Sequence, residues 1–307
     1  MSYILKGNRF EIPYGAPDYP SIFKELKHPP KCIYGIGEKS ALTEGISIIG
    51  ARKATPYGKS VAYHFAGIAA EKEICVISGG ALGCDSEGHR AAVDKQKQSV
   101  VVLGGGCDAI YPKKNFSLFQ AVIDNGGAVI SEQAWETPPM RYMFRARNRL
   151  IAALARATLI VEAGLPSGTF STADEALSMN REVLVVPGAI TSANSMGANR
   201  LIYQGATPII DDDTFLDQLE AIYGIRKAKT LNNDFIRENN LTKLDEVVLS
   251  AIYAEPLSTE DILDIFKECG SSPATALQDM MMWLNIAKNK GWISQYPDGK
   301  YGPYLNK

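Results

Sequence analysis

Apolar runs recur along the chain at Ile46–Ile49, Ile74–Ile77, Val100–Leu103, Ala128–Ile130, Leu159–Val161, Val183–Val186 and Pro208–Ile210, each closing in small or glycine-rich residues. Helix-length segments lie between them. A strand with one wet face alternates apolar and polar positions. These runs are apolar or small throughout, as in parallel strands buried on both faces. The pattern predicts an α/β fold: a parallel sheet with helices on both faces.

The pattern is absent at both ends. Residues 1–45 carry Pro13, Pro17, Pro20, Pro29 and Pro30 and read as an irregular extension with a short helix at Ser21–Leu26 and an edge strand at Cys32–Gly35. Residues 46–224 hold the alternating domain. Residues 225–242 are polar and asparagine-rich and read as a linker. In 243–307, helical patterns at Lys243–Tyr253, Thr259–Glu268 and Pro273–Asn289 precede a hairpin turned at Asp298-Gly299. Ser258 and Ser272-Pro273 are helix starts. Three helices and a terminal hairpin predict a small winged-helix domain.

The first run opens the stretch of most chemical interest. After Ile46–Ile49, Gly50 lets the chain turn and Arg52 and Lys53 follow at the strand end, where open α/β sheets bind ligands. Thr55 and Pro56 are N-cap and first-turn residues, so a helix is expected over about 57–72. Its N-terminus suits an anion. Gly58-Lys59-Ser60 is not the end of a Walker A loop. That loop has four residues between its glycines, whereas seven separate Gly50 from Gly58. No G-x-G-x-x-G follows the strand either.

Three more loops close strand ends: Ser78-Gly79-Gly80, Gly104-Gly105-Gly106, and Gly164 through Ser167-Gly168-Thr169. Small residues admit a phosphate to backbone N–H groups, and they also simply make tight turns. The segment Arg141–Arg156 holds five arginines, with no acidic residue between Glu136 and Glu162. On a helix, Arg141, Arg145, Arg149 and Arg156 share one stripe, with Tyr142 and Phe144 among them. Aromatics in a positive groove are how single-stranded nucleic acid is held. Arg147 and Arg149 have the alternative of pairing with Glu132, Asp85 or Glu162. His89 reads as a satisfied, partly buried histidine. No nucleophile motif accompanies the carboxylates.

Bulk properties narrow the classes. The net charge is −2 over 307 residues, so nucleic-acid binding requires a local basic patch. The five cysteines form no C-x-x-C pair, and the three histidines have no metal-ligand spacing. No apolar run approaches the roughly 20 residues of a membrane span, and the first residues lack a signal-peptide pattern, so a cytoplasmic protein is expected.

The motifs Ile48-Ile49-Gly50-Ala51-Arg52-Lys53-Ala54-Thr55, Ser78-Gly79-Gly80-Ala81 with Gly83 and Asp85, Tyr111-Pro112, Ser131-Glu132, and Phe144-Arg145-Ala146-Arg147-Asn148-Arg149 occur in one order. Val161-Glu162-Ala163, Ser167-Gly168-Thr169, Val186-Pro187-Gly188 and Asn199-Arg200-Leu201-Ile202 continue it. Together they resemble the DNA processing protein A family, DprA/Smf, over about 18–224. The resemblance implies an extended Rossmann-like fold, single-stranded DNA binding, RecA loading in natural transformation and a homodimer, often with a C-terminal winged helix. It places Arg52, the Ser78–Gly80 loop, Arg141 and Phe144 in the DNA groove. Residues 1–45 are too few for the helical N-terminal domain of many members. Leu82 stands where members commonly have arginine, and Cys84 where they have isoleucine.

The candidate DNA-binding set is therefore Arg52, Lys53, Ser78, Gly79, Gly80, Arg141, Phe144, Arg145, Arg147, Asn148, Ser167, Gly168 and Thr169. No catalytic residue, cofactor or metal is expected, and single-stranded DNA and RecA recombinase are the expected partners. The alternative is a nucleotide-binding or nucleotide-phosphate-hydrolysing Rossmann relative using the same groove. A duplex-reading winged helix is disfavoured, because Lys288 is the one cation in Pro273–Asn289.

Overall fold

The computed structural model describes residues 4–224, 239, 241–269, 275–296 and 299–303. The chain divides into two compact units, Met1–Ile225 and Arg226–Lys307.

The first unit is built on a nine-stranded sheet. Its strands are β1 (Arg9–Pro13), β2 (Cys32–Gly37), β3 (Gly45–Ile49), β4 (Val76–Ser78), β5 (Ser99–Val102), β6 (Ala128–Ser131), β7 (Ala155–Ile160), β8 (Glu182–Val185) and β9 (Thr207–Pro208). They lie in the order β1-β2-β6-β5-β4-β3-β7-β8-β9. From β6 to β9 every pairing is parallel. β2 joins β6 antiparallel, and β1 joins β2 antiparallel.

Strands β3 to β6 are buried at every position, which is why their sequences are apolar but for one small serine in each. Alternate residues enter opposite layers. Ile46 and Ile48 meet α1 (Pro56–Glu71), α2 (Cys84–Asp94) and α7 (Asp212–Tyr223) through Ala62, Phe65, Ala91 and Phe215. Val100 and Val102 face the other layer, with α4 (Arg141–Leu154), α5 (Thr169–Ser178) and α6 (Met196–Tyr203) contributing Leu150, Ile151, Ala173 and Leu201. Helix α3 (Phe116–Asp124) packs Phe119 and Val122 near Val101 and Val129.

Two expectations are corrected. The irregular start contains a strand: in β1, Phe10 and Ile12 point inward between exposed neighbours. β2 is therefore not an edge. β1 is the edge on that side, ending in Pro13, and β9 at the other side ends in Pro208. Prolines are tolerated there because an edge needs fewer ladder donors. Arg156 also leaves the predicted helical stripe, since α4 stops at Leu154 and Arg156 lies in β7, its guanidinium 5.5 Å from the Tyr223 ring.

The second unit contains α8 (Lys243–Ala254), α9 (Thr259–Glu268) and α10 (Ala276–Asn289), followed by antiparallel β10 (Ile293–Gln295) and β11 (Tyr301–Pro303). Thr242 and Ser258 form capping boxes with Asp245 and Asp261. Leu257 bridges antiparallel to Tyr301. Val248, Ile252, Phe266, Met280 and Trp283 make the core. The helix start at Ser272-Pro273, Asp298 of the hairpin turn and nearly all of the 225–242 segment lie outside the described residues.

Candidate nucleic-acid interface

The strand order reverses at β3. Strands β4 to β6 extend one way from it and β7 to β9 the other. The chain leaves β3 and β7 toward opposite layers, opening a crevice beyond their carboxyl ends. A groove of ≈ 700 Å³ lies there, lined by Gly50 to Arg52, by Arg141, Phe144 and Asn148 of α4, and by Ser167 to Thr169.

Helix α1 starts as its sequence dictates. Thr55 caps it by accepting from Gly58 N at 3.0 Å, and Pro56 follows. Its N-terminus is not open to an anion, however. The buried Glu162 carboxylate fills that place, accepting from Thr55 N at 2.9 Å and Thr55 Oγ1 at 2.5 Å. A Cβ on Gly58 would run into this carboxylate, 2.5 Å from Oε2. The glycine of the Gly58-Lys59-Ser60 triplet thus makes room for an internal anion. Glu162 pairs with neither Arg147 nor Arg149. It is an inner partner of the loop that carries Arg52 and Lys53, both of which are exposed.

Helix α4 divides its residues by face. Met143, Arg147, Leu150 and Ile151 are buried, Phe144 and Asn148 are half-buried, and Arg141 and Arg145 are exposed. Asn148 Nδ2 donates to Ser171 Oγ at 2.7 Å, tying α4 to α5. Arg149 forks onto Glu132 at 2.7 and 2.6 Å and also donates to the Ala146 carbonyl, so it braces the fold. That fork raises the Arg149 pKa.

Arg147 departs from the expected DNA surface. Its guanidinium is buried and donates to the Gly79 carbonyl at 2.9 Å and to that of Val102. Burial lowers its pKa to about 10, opposed by the nearby Asp85 charge. Asp85 is buried too, and burial raises its pKa against the pull of Arg147. The Ser78–Gly80 loop is likewise interior. Ser78 Oγ donates to the Ile48 carbonyl at 2.6 Å, Gly79 lies against Arg147, and Gly80 (φ +65°) against Phe119. His89 is buried and neutral, its pKa lowered to about 3 by burial and then by the Arg147 charge, with Nδ1 2.6 Å from Ser99 Oγ.

Phe144 sits where cation and aromatic meet. The Arg52 guanidinium lies 5.5 Å from its ring centroid, and Tyr111, half exposed, lies 5.5 Å away on a tilted plane. Gly104 provides the seat, since a Cβ there would come within 2.9 Å of the ring. Gly105 and Gly106 pack on the backbone of 134–139, so this triplet serves close packing rather than an anion. In the last loop, Ser167 Oγ donates to Thr169 Oγ1 at 2.8 Å; Gly168 is exposed, whereas Thr169 is buried. Asn194 reaches the groove as well, Nδ2 donating to the Lys53 carbonyl at 3.5 Å. Tyr111, Asn194 and the role of Glu162 are not legible as site features from spacing, because each meets its partner across 30 residues or more. Among the described residues, no group of His, Cys, Asp and Glu could hold a metal, and no helix is long and apolar enough to cross a membrane.

An open, mostly parallel α/β sheet with a crevice at its switch point defines the class: a Rossmann-like α/β protein. Residues 11–220 match the family described as DNA recombination-mediator protein A, and the chain belongs to it. It is 29% identical over 304 residues to Protein Smf of Escherichia coli, covering 97% of this chain and 79% of that protein. To the putative DNA processing protein DprA of Mycobacterium tuberculosis it is 37% identical over 193 residues, 62% of this chain and 49% of that protein. Among solved structures, DNA processing protein A of Streptococcus pneumoniae aligns with TM-score 0.64 and 29% identity over 69% of this chain and 74% of that one. The Helicobacter pylori protein, solved to show its single-stranded DNA binding mode, aligns with TM-score 0.64 and 30% identity over 72% of this chain and 99% of that one.

Proposed function

We propose that the chain binds single-stranded DNA as a recombination mediator and acts by binding, not by catalysis. The observation that carries this reading is the set Arg52, Arg141 and Arg145, which make no salt bridge within 4 Å among the described residues and share one groove with Phe144, the Asp85 charge lying nearest Arg52 beneath it. Arg52, Lys53, Arg141 and Arg145 hold phosphates, Phe144 stacks on a base, and Ser167, Gly168 and Thr169 add polar contacts. Asn148, Arg147 and the Ser78–Gly80 loop shape the groove from behind. The nucleotide-hydrolase reading is disfavoured because Glu162 already occupies the α1 N-terminus, where a mononucleotide phosphate would sit. Membership of the family supports delivery of bound strands to RecA, which RecA nucleation on the same oligonucleotide with and without the protein would test.

The second unit is proposed to be a winged helix used for protein contact. Lys288 is the one cation of α10, whose outer face shows Leu277, Met281, Met282 and Ile286 instead. Duplex binding is accordingly expected to be weak.

The experiment is a titration of labelled oligo-dT, with blunt duplex as competitor, at two salt concentrations. Arg141→Ala is expected to lower affinity and to flatten the log–log salt slope by about 0.7, one phosphate contact. Phe144→Ala is expected to weaken binding by about 1–3 kcal/mol with little change in slope. Duplex competing as well as single strand would sink the reading.

A homodimer through the late part of the first unit is also proposed. Leu201 and Ile209 are buried in the core, whereas Ile190, Tyr203 and Ile210 are exposed and supply the apolar contact. Sedimentation should show a dimer at micromolar protein; a concentration-independent monomer would remove the idea.

A further inference from the structure

The segment that carries Arg52 is held from three sides. Gly83 (φ +88°) lies against the carbonyls of Ala51 and Arg52, close enough that a Cβ would sit 2.8 Å from the Arg52 oxygen. Asn194 donates to the Lys53 carbonyl. Glu162, reaching across from the end of β7, takes both the N–H and the hydroxyl of Thr55. Among the described residues the Arg52 guanidinium makes no side-chain hydrogen bond; it rests 5.5 Å from the Phe144 ring centroid, with the charge of the buried Asp85 nearby. Its position therefore depends on where the segment Arg52–Thr55 is anchored.

We infer that Glu162 is a positioning residue for Arg52: a built-in carboxylate at the α1 N-terminus that fixes the mouth of the groove. It does so without touching a ligand, since it is 4% exposed and lies beneath the loop. Three observations converge on it. Its two oxygens are engaged by the same residue, Thr55, on the backbone and on the side chain. Its charge lies at the first turn of a 16-residue helix, where the peptide dipoles favour an anion. Gly58 leaves the space it occupies. The carboxylate does in one chain what a bound phosphate does in a nucleotide-binding turn. It orders the loop in advance, so an incoming strand meets Arg52 already in place and orders less on binding.

This inference rests on the DNA-binding reading, and its test separates the two. Oligo-dT affinity and salt slope are measured on the full chain for the parent, Glu162→Gln, Arg52→Ala and the double variant, with melting followed in parallel. Glu162→Gln is expected to weaken binding about tenfold, the size of one charge-assisted hydrogen bond, and to reduce the slope by about 0.7. In the Arg52→Ala chain the same substitution should cost clearly less affinity, the remainder passing through Lys53 on the same segment. A merely structural role would lower melting and weaken both chains alike. Gly58→Ala, which pushes on the carboxylate from the helix side, should reproduce the Glu162→Gln pattern and carries the cycle if Glu162→Gln does not fold. Equal losses in the presence and absence of Arg52, or an unchanged parent affinity, would overturn the positioning role. A parent chain that does not bind oligo-dT would overturn the function itself.

Discussion

Arg147→Ala is expected to destabilise the protein by about 3–5 kcal/mol, the cost of removing one partner from a buried charged arrangement. The side chain is buried under the groove and donates to the carbonyls of Gly79 and Val102. Alanine takes the guanidinium donor from those acceptors and leaves Asp85 buried without the stronger of the two cations, Arg147 and Arg52, that favour its ionised form. The deficit should depend on pH in a definite direction. Burial already raises the Asp85 pKa above 3.8, and loss of Arg147 raises it further. The folded variant then holds a proton that the unfolded chain releases, so its stability falls as pH rises. Urea denaturation at pH 5 and pH 8 should show the larger deficit at pH 8. A variant that melts like the parent but binds DNA with a flatter salt slope would return Arg147 to the DNA surface.

The second large effect is acid destabilisation through His89. The imidazole is buried, its Nδ1 contacts Ser99 Oγ, and its pKa is lowered from 6.5 to about 3 by burial and by the charge of Arg147. Ser99 Oγ donates to the Val76 carbonyl at 2.7 Å, so His89 Nδ1–H is the donor to Ser99. The folded state keeps this ring neutral while the unfolded chain takes up a proton. The contribution is complete above pH 6.5 and is lost as pH falls toward 3. At about 1.4 kcal/mol per pH unit the loss is on the order of 4–5 kcal/mol across that window. Stability measured at pH 7 and pH 4 should fall much less in His89→Gln than in the parent. Parallel acid limbs in the two proteins would show that His89 is not the group responsible.

The sheet was legible because burial on two faces leaves little freedom: Val100–Leu103 is apolar throughout, and Ile46–Ile49 admits only the small Ser47. The start of α1 was legible because Thr55 and Pro56 act locally. The faces of α4 were harder to read. Arg141, Arg145 and Arg149 share a helical stripe, yet Glu132, remote in sequence, removes Arg149 from it. Arg147 reads as a surface cation until the Gly79 and Val102 carbonyls are placed beneath it. No glycine or proline marks the end of α4, so Arg156 looked helical when it is the second residue of β7. β1 is five residues long with two inward side chains, too short a period to stand out among prolines. Gly104 gave no hint that its partner would be an aromatic ring rather than a phosphate.

The two outer strands of the sheet have a bearing on how copies of this chain can meet. β1 closes in Pro13 and β9 is two residues long, the second being Pro208. A proline offers no N–H, so neither rim presents an unbroken row of donors to a foreign strand. The prolines thus shorten the row of donors that either rim offers for edge-to-edge pairing. The proposed dimer would instead be made by exposed side chains such as Ile190, Tyr203 and Ile210. A two-fold contact of that kind would close on itself instead of templating the next subunit.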